Sequence, residues 1–145
     1  ERDILAAALN CQQAALQTAV RVLGRAHPVT RRLVIAIGEC HQALGNADDA
    51  ISFYQDALKA APAGHPVRAR LLLDMARCCH QDGKGDPEAA LEYAGQARQA
   101  LEQRAADGEP LDGELFEAAC LLYAHLAQHL TAIGEQHSVL LQSGD

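Results

Sequence analysis

A short motif, His-Pro-Val, occurs twice in this chain, at residues 27–29 and 65–67, a spacing of 38 residues. The residues after each copy are also alike, since "TRRLVIAIGE" follows the first and "RARLLLDMAR" follows the second. Self-similarity at a fixed period of about 20–50 residues is typical of architectures that stack one small unit on the next. The repeat therefore limits the possible folds more than any other feature of the sequence.

The apolar residues between these motifs recur at helical spacing, and the composition agrees with helices. Alanine is abundant, aromatic residues make up only 3% of the chain, and tryptophan is absent. Strands favour β-branched and aromatic residues, whereas alanine and leucine favour helices. The pattern predicts six helices, at residues 2–23, 28–44, 47–61, 66–82, 86–106 and 112–133.

The predicted helices are bounded by residues that commonly start or stop a helix. Proline suits the first helical turn, and an aspartate side chain can cap the first amide groups. Glycine suits the positive φ angle that often follows a helix. The predicted starts carry Pro28, Pro66, Asp86 and Asp112, and the predicted ends carry Gly24, Gly45, Gly64, Gly83 and Gly108.

The segment from Arg31 to Pro62 resembles a tetratricopeptide repeat (TPR), a unit of two antiparallel helices. The resemblance rests on Ile37, Gly38, Ala50, Tyr54, Ala57 and Pro62, which stand at the spacing of the family's characteristic residues. Val34 and His41 depart from it, because the family prefers tryptophan and tyrosine there. Small side chains would let the two helices approach closely, and Tyr54 would fill the space between them.

Two further segments resemble the same repeat less completely. Residues 71–101 form a second copy, with Ala90, Ala94 and Ala97 as its small residues and an insertion at Lys84-Gly85. Residues 8–24 resemble the second helix of an earlier copy, with Ala8 and Ala15 at its small positions. The stretch "LGRAHPVTRRL" resembles the linker that joins the longer repeats of kinesin light chains and their relatives.

The resemblance implies an all-α, right-handed α-solenoid of about three antiparallel helix hairpins with a C-terminal capping helix. The whole chain, 1–145, is then a single domain. It comprises a partial repeat (2–23), two repeats (28–62 and 66–106), a capping helix (112–133) and a tail (134–145). An unrelated alanine-rich helical bundle is the alternative.

Charge and cysteine content limit the classes of function. The net charge is −7, which argues against a surface that neutralises nucleic-acid phosphates. The charge is uneven, because residues 1–80 carry a net +2 and residues 81–145 a net −9. Five scattered cysteines, an odd number, indicate a reduced, intracellular and cytoplasmic protein. No apolar stretch is long enough to span a membrane.

Neither enzymatic motifs nor a full set of metal ligands is evident. No partner residue for catalysis recurs beside both His-Pro-Val copies, so a structural role at the helix starts is predicted for His27 and His65. His125 and His129 share a helix face, and His80 follows Cys78-Cys79, but a zinc site needs three or four ligands. We therefore expect no catalytic residue, no metal and no cofactor.

The resemblance implies instead that the first helix of each pair lines a groove for a protein partner. Carrying the family's groove positions onto this chain gives Arg32, Ile35, Glu39, Gln42, Arg70, Leu73, Arg77 and His80, and the last helix adds Phe116, Cys120 and Tyr123. The arginines would suit acidic side chains of a partner peptide. Chaperone-tail binding is not expected, because Ile35 and Glu39 replace the lysine and asparagine that such members use.

A structural role is the alternative function. The chain also resembles TPR-like appendages that follow the lipid-binding domain of some sorting nexins or close MYND-type lysine methyltransferases. It would then support a neighbouring domain or self-associate weakly, rather than act as a monomeric peptide binder. A lipid-binding neighbour would place it on endosomal membranes.

Overall fold

The computed structural model describes residues 2–80 and 85–143, and within them the chain forms six α-helices and no strand. These helices are α1 (Arg2–Leu23), α2 (Pro28–Ala43), α3 (Ala47–Ala60), α4 (Val67–His80), α5 (Pro87–Ala106) and α6 (Gly113–Ser143). Each predicted start lies within one residue of the observed one. The predictions that concern residues 81–84, among them the helix end at Gly83 and the insertion beginning at Lys84, lie outside the described residues.

The last helix differs from its predicted length. We expected it to end at residue 133, with a tail from 134, but α6 continues to Ser143. Gly134 does not stop it, because one glycine inside a helix costs only about 1 kcal/mol. The apolar spacing of Leu126, Leu130 and Ile133 also continues to Leu141, so the helical pattern outlasts the glycine.

Both His-Pro-Val motifs start a helix in the same way. The Nδ1 atom of His27 accepts a hydrogen bond from the amide of Val29 at 3.2 Å, and Nδ1 of His65 accepts one from the amide of Val67 at 3.1 Å. Pro28 is the first residue of α2, where its missing N–H costs no hydrogen bond. The predicted structural role of the motif is therefore confirmed.

The other predicted caps are also observed. Asp86 accepts hydrogen bonds from the amides of Glu88 and Ala89, and Asp112 accepts one from the amide of Leu115. Four of the predicted helix-ending glycines have positive φ angles, and these are Gly24, Gly45, Gly64 and Gly108.

Each helix packs on the next, and α4 is the centre of the core. Residues 71–76 of α4 are all buried, as are Ala69, Cys78 and Cys79. α6 also contacts α4, since Leu126 of α6 packs in one buried cluster with Ala76 and Cys79 of α4. Consequently α2, α4 and α6, the first helices of successive pairs, lie side by side. No helix within the described ranges has the length and apolar character to cross a membrane.

The contact between α2 and α3 is as close as the repeat pattern predicts. Tyr54 of α3 is completely buried, and a β-carbon added at Gly38 of α2 would overlap its ring. The earlier partial copy fits less well. Ala15, predicted at a small contact position of α1, is exposed, and Ala19 is the buried alanine instead. One helical turn thus separates the predicted from the observed contact.

Candidate functional site

The predicted groove residues lie on α2, α4 and α6, and most of them are accessible. Arg32, Glu39 and Arg77 are exposed, and Ile35, Gln42, Arg70, His80, Phe116 and Cys120 are partly exposed. We call these nine residues the groove face. Accessible side chains are thus present at the predicted groove positions of all three helices.

A buried carboxylate organises the charges of the groove face. Asp74 of α4 has a side chain only 5% exposed, and it binds two arginines of its own helix. Its Oδ2 lies 3.1 Å from Nε of Arg70, and its Oδ1 lies 3.3 Å from Nη1 of Arg77. Arg70 also reaches α2, where its Nη2 lies 3.0 Å from Oε1 of Glu39. Both guanidinium groups are therefore held in place by their neighbours.

Burial and nearby positive charge have opposite effects on the carboxyl group of Asp74. Burial raises the pKa of its carboxyl group above the ordinary value, although Arg70 and Arg77 favour the charged form and oppose this shift. The hydroxyl of Tyr54 is buried and has no hydrogen-bond partner among the described residues. Burial, followed by the nearby charge of Asp74, raises the pKa of this hydroxyl as well.

Gln42 links α2 to α4 beside this network. Its Nε2 donates to the backbone carbonyl of Asp74 at 3.3 Å and to Sγ of Cys78 at 2.7 Å. Burial raises the pKa of the Cys78 thiol to about 11. A protonated, buried thiol is a poor nucleophile, so Cys78 acts here as a packing residue.

Two residues predicted for the groove contact α5 instead, and of the two only Leu73 is fully buried. Leu73 is 0% exposed and packs with Ala97 and Ala119 inside the core. Tyr123 turns toward α5, where the guanidinium carbon of Arg98 lies 5.1 Å from its ring centroid. The family's groove positions, carried onto this chain, predicted an accessible position for Leu73. This prediction is wrong, because α5 and α6 both cover this side of α4.

Three histidines meet at one end of the groove face. The ring centroid of His80 lies 5.4 Å from that of His125 and 6.4 Å from that of His129. The predicted common face of His125 and His129 is therefore present, and α4 supplies a third ring. Within residues 2–80 and 85–143, no group of three or more histidine, cysteine or carboxylate side chains is arranged to hold a metal ion.

The sequence interpretation missed Asp74. A signal was available, because Asp74 stands four residues after Arg70 and three residues before Arg77, and these spacings bring side chains together on a helix. Its burial could not be read from the sequence, since that depends on how α2 and α3 cover α4. The structure therefore adds the residue that holds the two arginines.

Comparison with known proteins supports the architecture. Residues 5–63 match the family model described as tetratricopeptide repeat. No curated protein matches the chain significantly. The matched region contains most of α1 and all of α2 and α3, including the contact between Gly38 and Tyr54. The match over residues 5–63 and the six-helix architecture together support assignment of this chain to the tetratricopeptide repeat superfamily.

Proposed function

We propose that this domain is a non-enzymatic protein-interaction module whose groove face binds a segment of a partner protein. TPR units are typically interaction modules, and this supports the general class of function. The observation that carries the specific proposal is the network around Asp74. Two arginines held by a buried carboxylate lose less side-chain entropy on binding than two mobile ones would.

The same network favours a partner with acidic side chains. Each guanidinium group has five N–H donors, and the contacts above occupy only some of them. Arg70 uses donors on Asp74 and Glu39, and Arg77 uses one on Asp74. Arg32 is exposed on α2, the helix that also carries Glu39. Carboxylates of a partner could accept the remaining hydrogen bonds, with Ile35 and Phe116 as neighbouring apolar contacts.

The test begins with a peptide selected from a phage-displayed library of random dodecamers. Its dissociation constant is measured by fluorescence anisotropy for the wild type and for the double variant Arg32→Glu/Arg77→Gln. Arg70 is left intact, because an unpaired buried Asp74 would destabilise the fold by about 3–5 kcal/mol. Arg21→Glu is the matched control, since Arg21 is exposed on α1, away from the groove face.

We expect the double variant to bind at least about tenfold more weakly, as befits the loss of charge-assisted hydrogen bonds. The control should bind like the wild type, and circular dichroism should show that all three proteins are equally helical. Equal affinity of the folded double variant and the wild type would show that the peptide does not use the groove face.

A second candidate function is self-association or support of a neighbouring domain through the end of α6. Ile133 and Val139 are 44% and 61% exposed there, although they continue the apolar pattern of the helix. Light scattering over a concentration series tests this, with Ile133→Ser/Val139→Ser as the variant. A mass that rises with concentration for the wild type but not for the variant would favour this function, and a constant monomer mass would exclude self-association.

We also propose that the protein is located inside the cell, in the cytoplasm. This proposal rests on the odd number of cysteines and on the use of Cys78 and Cys79 as small buried side chains.

A further inference from the structure

A second recess lies outside the groove face, beside the two His-Pro-Val joints. Its volume is about 580 Å³, and it is bounded by α1, α3, the first turns of α2 and α4, and the loops before them. None of the groove-face residues lines it. The apolar part of the lining comes from Leu16, Val20, Val34, Phe53, Val67 and Leu71. We call this recess the joint cleft.

The size and lining of the joint cleft suit a small part of a larger molecule. Binding pockets commonly measure about 300–1,000 Å³ and combine an apolar lining with a few polar groups. At the end of α3 the wall includes Ala57, Ala60 and the following residue Ala61, whose short side chains leave room against α1 and α2. One or two bulky apolar side chains of a peptide fit such a space.

The polar groups of the joint cleft are mainly cationic. Arg25, Arg31 and Lys59 line it, and Asp56 is the one carboxylate in its lining. Within the described ranges, no carboxylate oxygen lies within 4 Å of a side-chain nitrogen of these three cations. This concentration of positive charge contrasts with a chain whose net charge is −7.

Arg31 and His65 add an excess of hydrogen-bond donors at one place. Nη1 of Arg31 contacts Nε2 of His65, while Nδ1 of the same ring faces the amide of Val67. A neutral imidazole has only one acceptor nitrogen, so it cannot accept from both N–H groups. Burial, Arg31 and Arg104 all lower the pKa of His65, which favours this neutral ring. An additional acceptor, such as a carboxylate, would resolve the conflict.

We propose that the joint cleft is a second binding site, which takes an acidic, apolar segment of a protein partner. Bulky apolar side chains of the segment enter the cleft, and its carboxylates accept hydrogen bonds from Arg25, Arg31 and Lys59. The site lies on a different face from the groove and does not depend on the function proposed for that face. A TPR unit that also binds through the joint between its helix pairs could hold two parts of one partner.

The probe is the synthetic hexapeptide acetyl-DELLED-amide, titrated into ¹⁵N-labelled protein and followed by amide chemical shifts. Two control peptides separate the chemical contributions. Acetyl-NQLLQN-amide keeps the shape but removes the charge, and acetyl-DEAAED-amide keeps the charge but removes the bulky side chains. We expect shifts at Arg31, Val34, Phe53 and Ala57, and at least about fivefold weaker binding for each control peptide.

Two variants test the same assignment from the protein side. Arg25→Glu/Lys59→Glu reverses two exposed rim charges, and Ala60→Phe fills the cleft from an exposed position of α3. Each should weaken binding of the probe about tenfold or more, while Arg21→Glu should not. Unchanged binding in both folded variants would overturn the proposal, as would shifts confined to the groove face or no shifts at millimolar peptide.

A second copy of this chain is the other possible occupant. Light scattering of the unliganded protein distinguishes it from a peptide. A dimer that the rim variant abolishes would overturn the peptide assignment, whereas a monomer together with the expected shifts supports it.

Discussion

At the scale of single residues, Gly38 and Tyr54 show how closely sequence and packing correspond. Tyr54 is completely buried, and its ring occupies the space that a side chain at Gly38 would need. The spacing of the repeat predicted both residues, because it requires a small residue on the first helix where the aromatic ring of the second helix arrives.

Gly38→Ala should lower the free energy of unfolding by about 1–3 kcal/mol, because the added methyl group forces the Tyr54 ring to move. Urea denaturation measures the effect. Gly134→Ala is the matched control, since Gly134 lies in α6 with open space around it. There alanine should raise stability by about 0.5–1 kcal/mol through its higher helix propensity. A destabilising effect of equal size at both glycines would contradict the packing argument.

Asp74 predicts a specific dependence of stability on pH. Because burial raises the carboxyl pKa in the folded state, the folded protein takes up this proton at a higher pH than the unfolded chain. The contribution to stability is therefore complete below the unfolded pKa and is lost as the pH rises through the folded pKa. Asp74→Asn lacks this titration.

Urea denaturation of wild type and Asp74→Asn between about pH 7 and about pH 4.5 measures this contribution. The difference in unfolding free energy, wild type minus variant, should increase as the pH falls. A difference that decreases with falling pH would mean that Arg70 and Arg77 outweigh burial and lower the carboxyl pKa.

At the scale of elements, the two His-Pro-Val joints each use histidine as a helix cap. The ring nitrogen of His27 accepts the amide proton of Val29, which is one of the amides that a helix start leaves unpaired. His65 does the same before α4, but it also contacts Arg31. His27 is therefore the cleaner position for measuring the cap.

His27→Ala should lower the free energy of unfolding by about 0.5–2 kcal/mol, the usual loss for a helix cap. His27→Asn should retain most of the stability, because an asparagine side chain can accept the same amide proton. Thermal or urea denaturation of both variants provides the comparison. Equal losses for alanine and asparagine would show that the histidine contributes through packing rather than through the hydrogen bond.

The helices were predictable because their boundaries carry local signals. Pro28, Asp86 and Asp112 each act on the backbone beside them, so their effect does not depend on the rest of the fold. The end of α6 was not predictable from Gly134, since a glycine can stop a helix or lie within it. The glycine alone allows α6 either to end at residue 134 or to continue. The apolar spacing that extends beyond Gly134 favours continuation.

The candidate site was less predictable than the fold. The repeat register placed Arg32, Glu39, Arg70 and Arg77 on an accessible surface, and the structure agrees. It also placed Leu73 there, although Leu73 is in the core. Burial of one side chain depends on three neighbouring helices at once, and the last of these, α6, fits no copy of the repeat well.

At the scale of the whole molecule, the chain presents two surfaces of different chemistry. The groove face holds arginines fixed by acidic neighbours, whereas the joint cleft holds cations beside a mainly apolar lining. Residues 81–145, with a net charge of −9, include all of α5 and all of α6. Acidic partner segments would therefore be attracted to residues 1–80, which carry the cations of both proposed sites.

The central claim is that the face formed by α2, α4 and α6 binds a partner segment. Amide chemical-shift mapping of ¹⁵N-labelled protein with the peptide selected from the dodecamer library tests it most directly. We expect the largest shifts at Arg32, Glu39, Arg70 and Arg77, with the Arg32→Glu/Arg77→Gln variant showing none at the same peptide concentration. Shifts confined to α1 and α3, or identical shifts in that folded variant, would contradict the account.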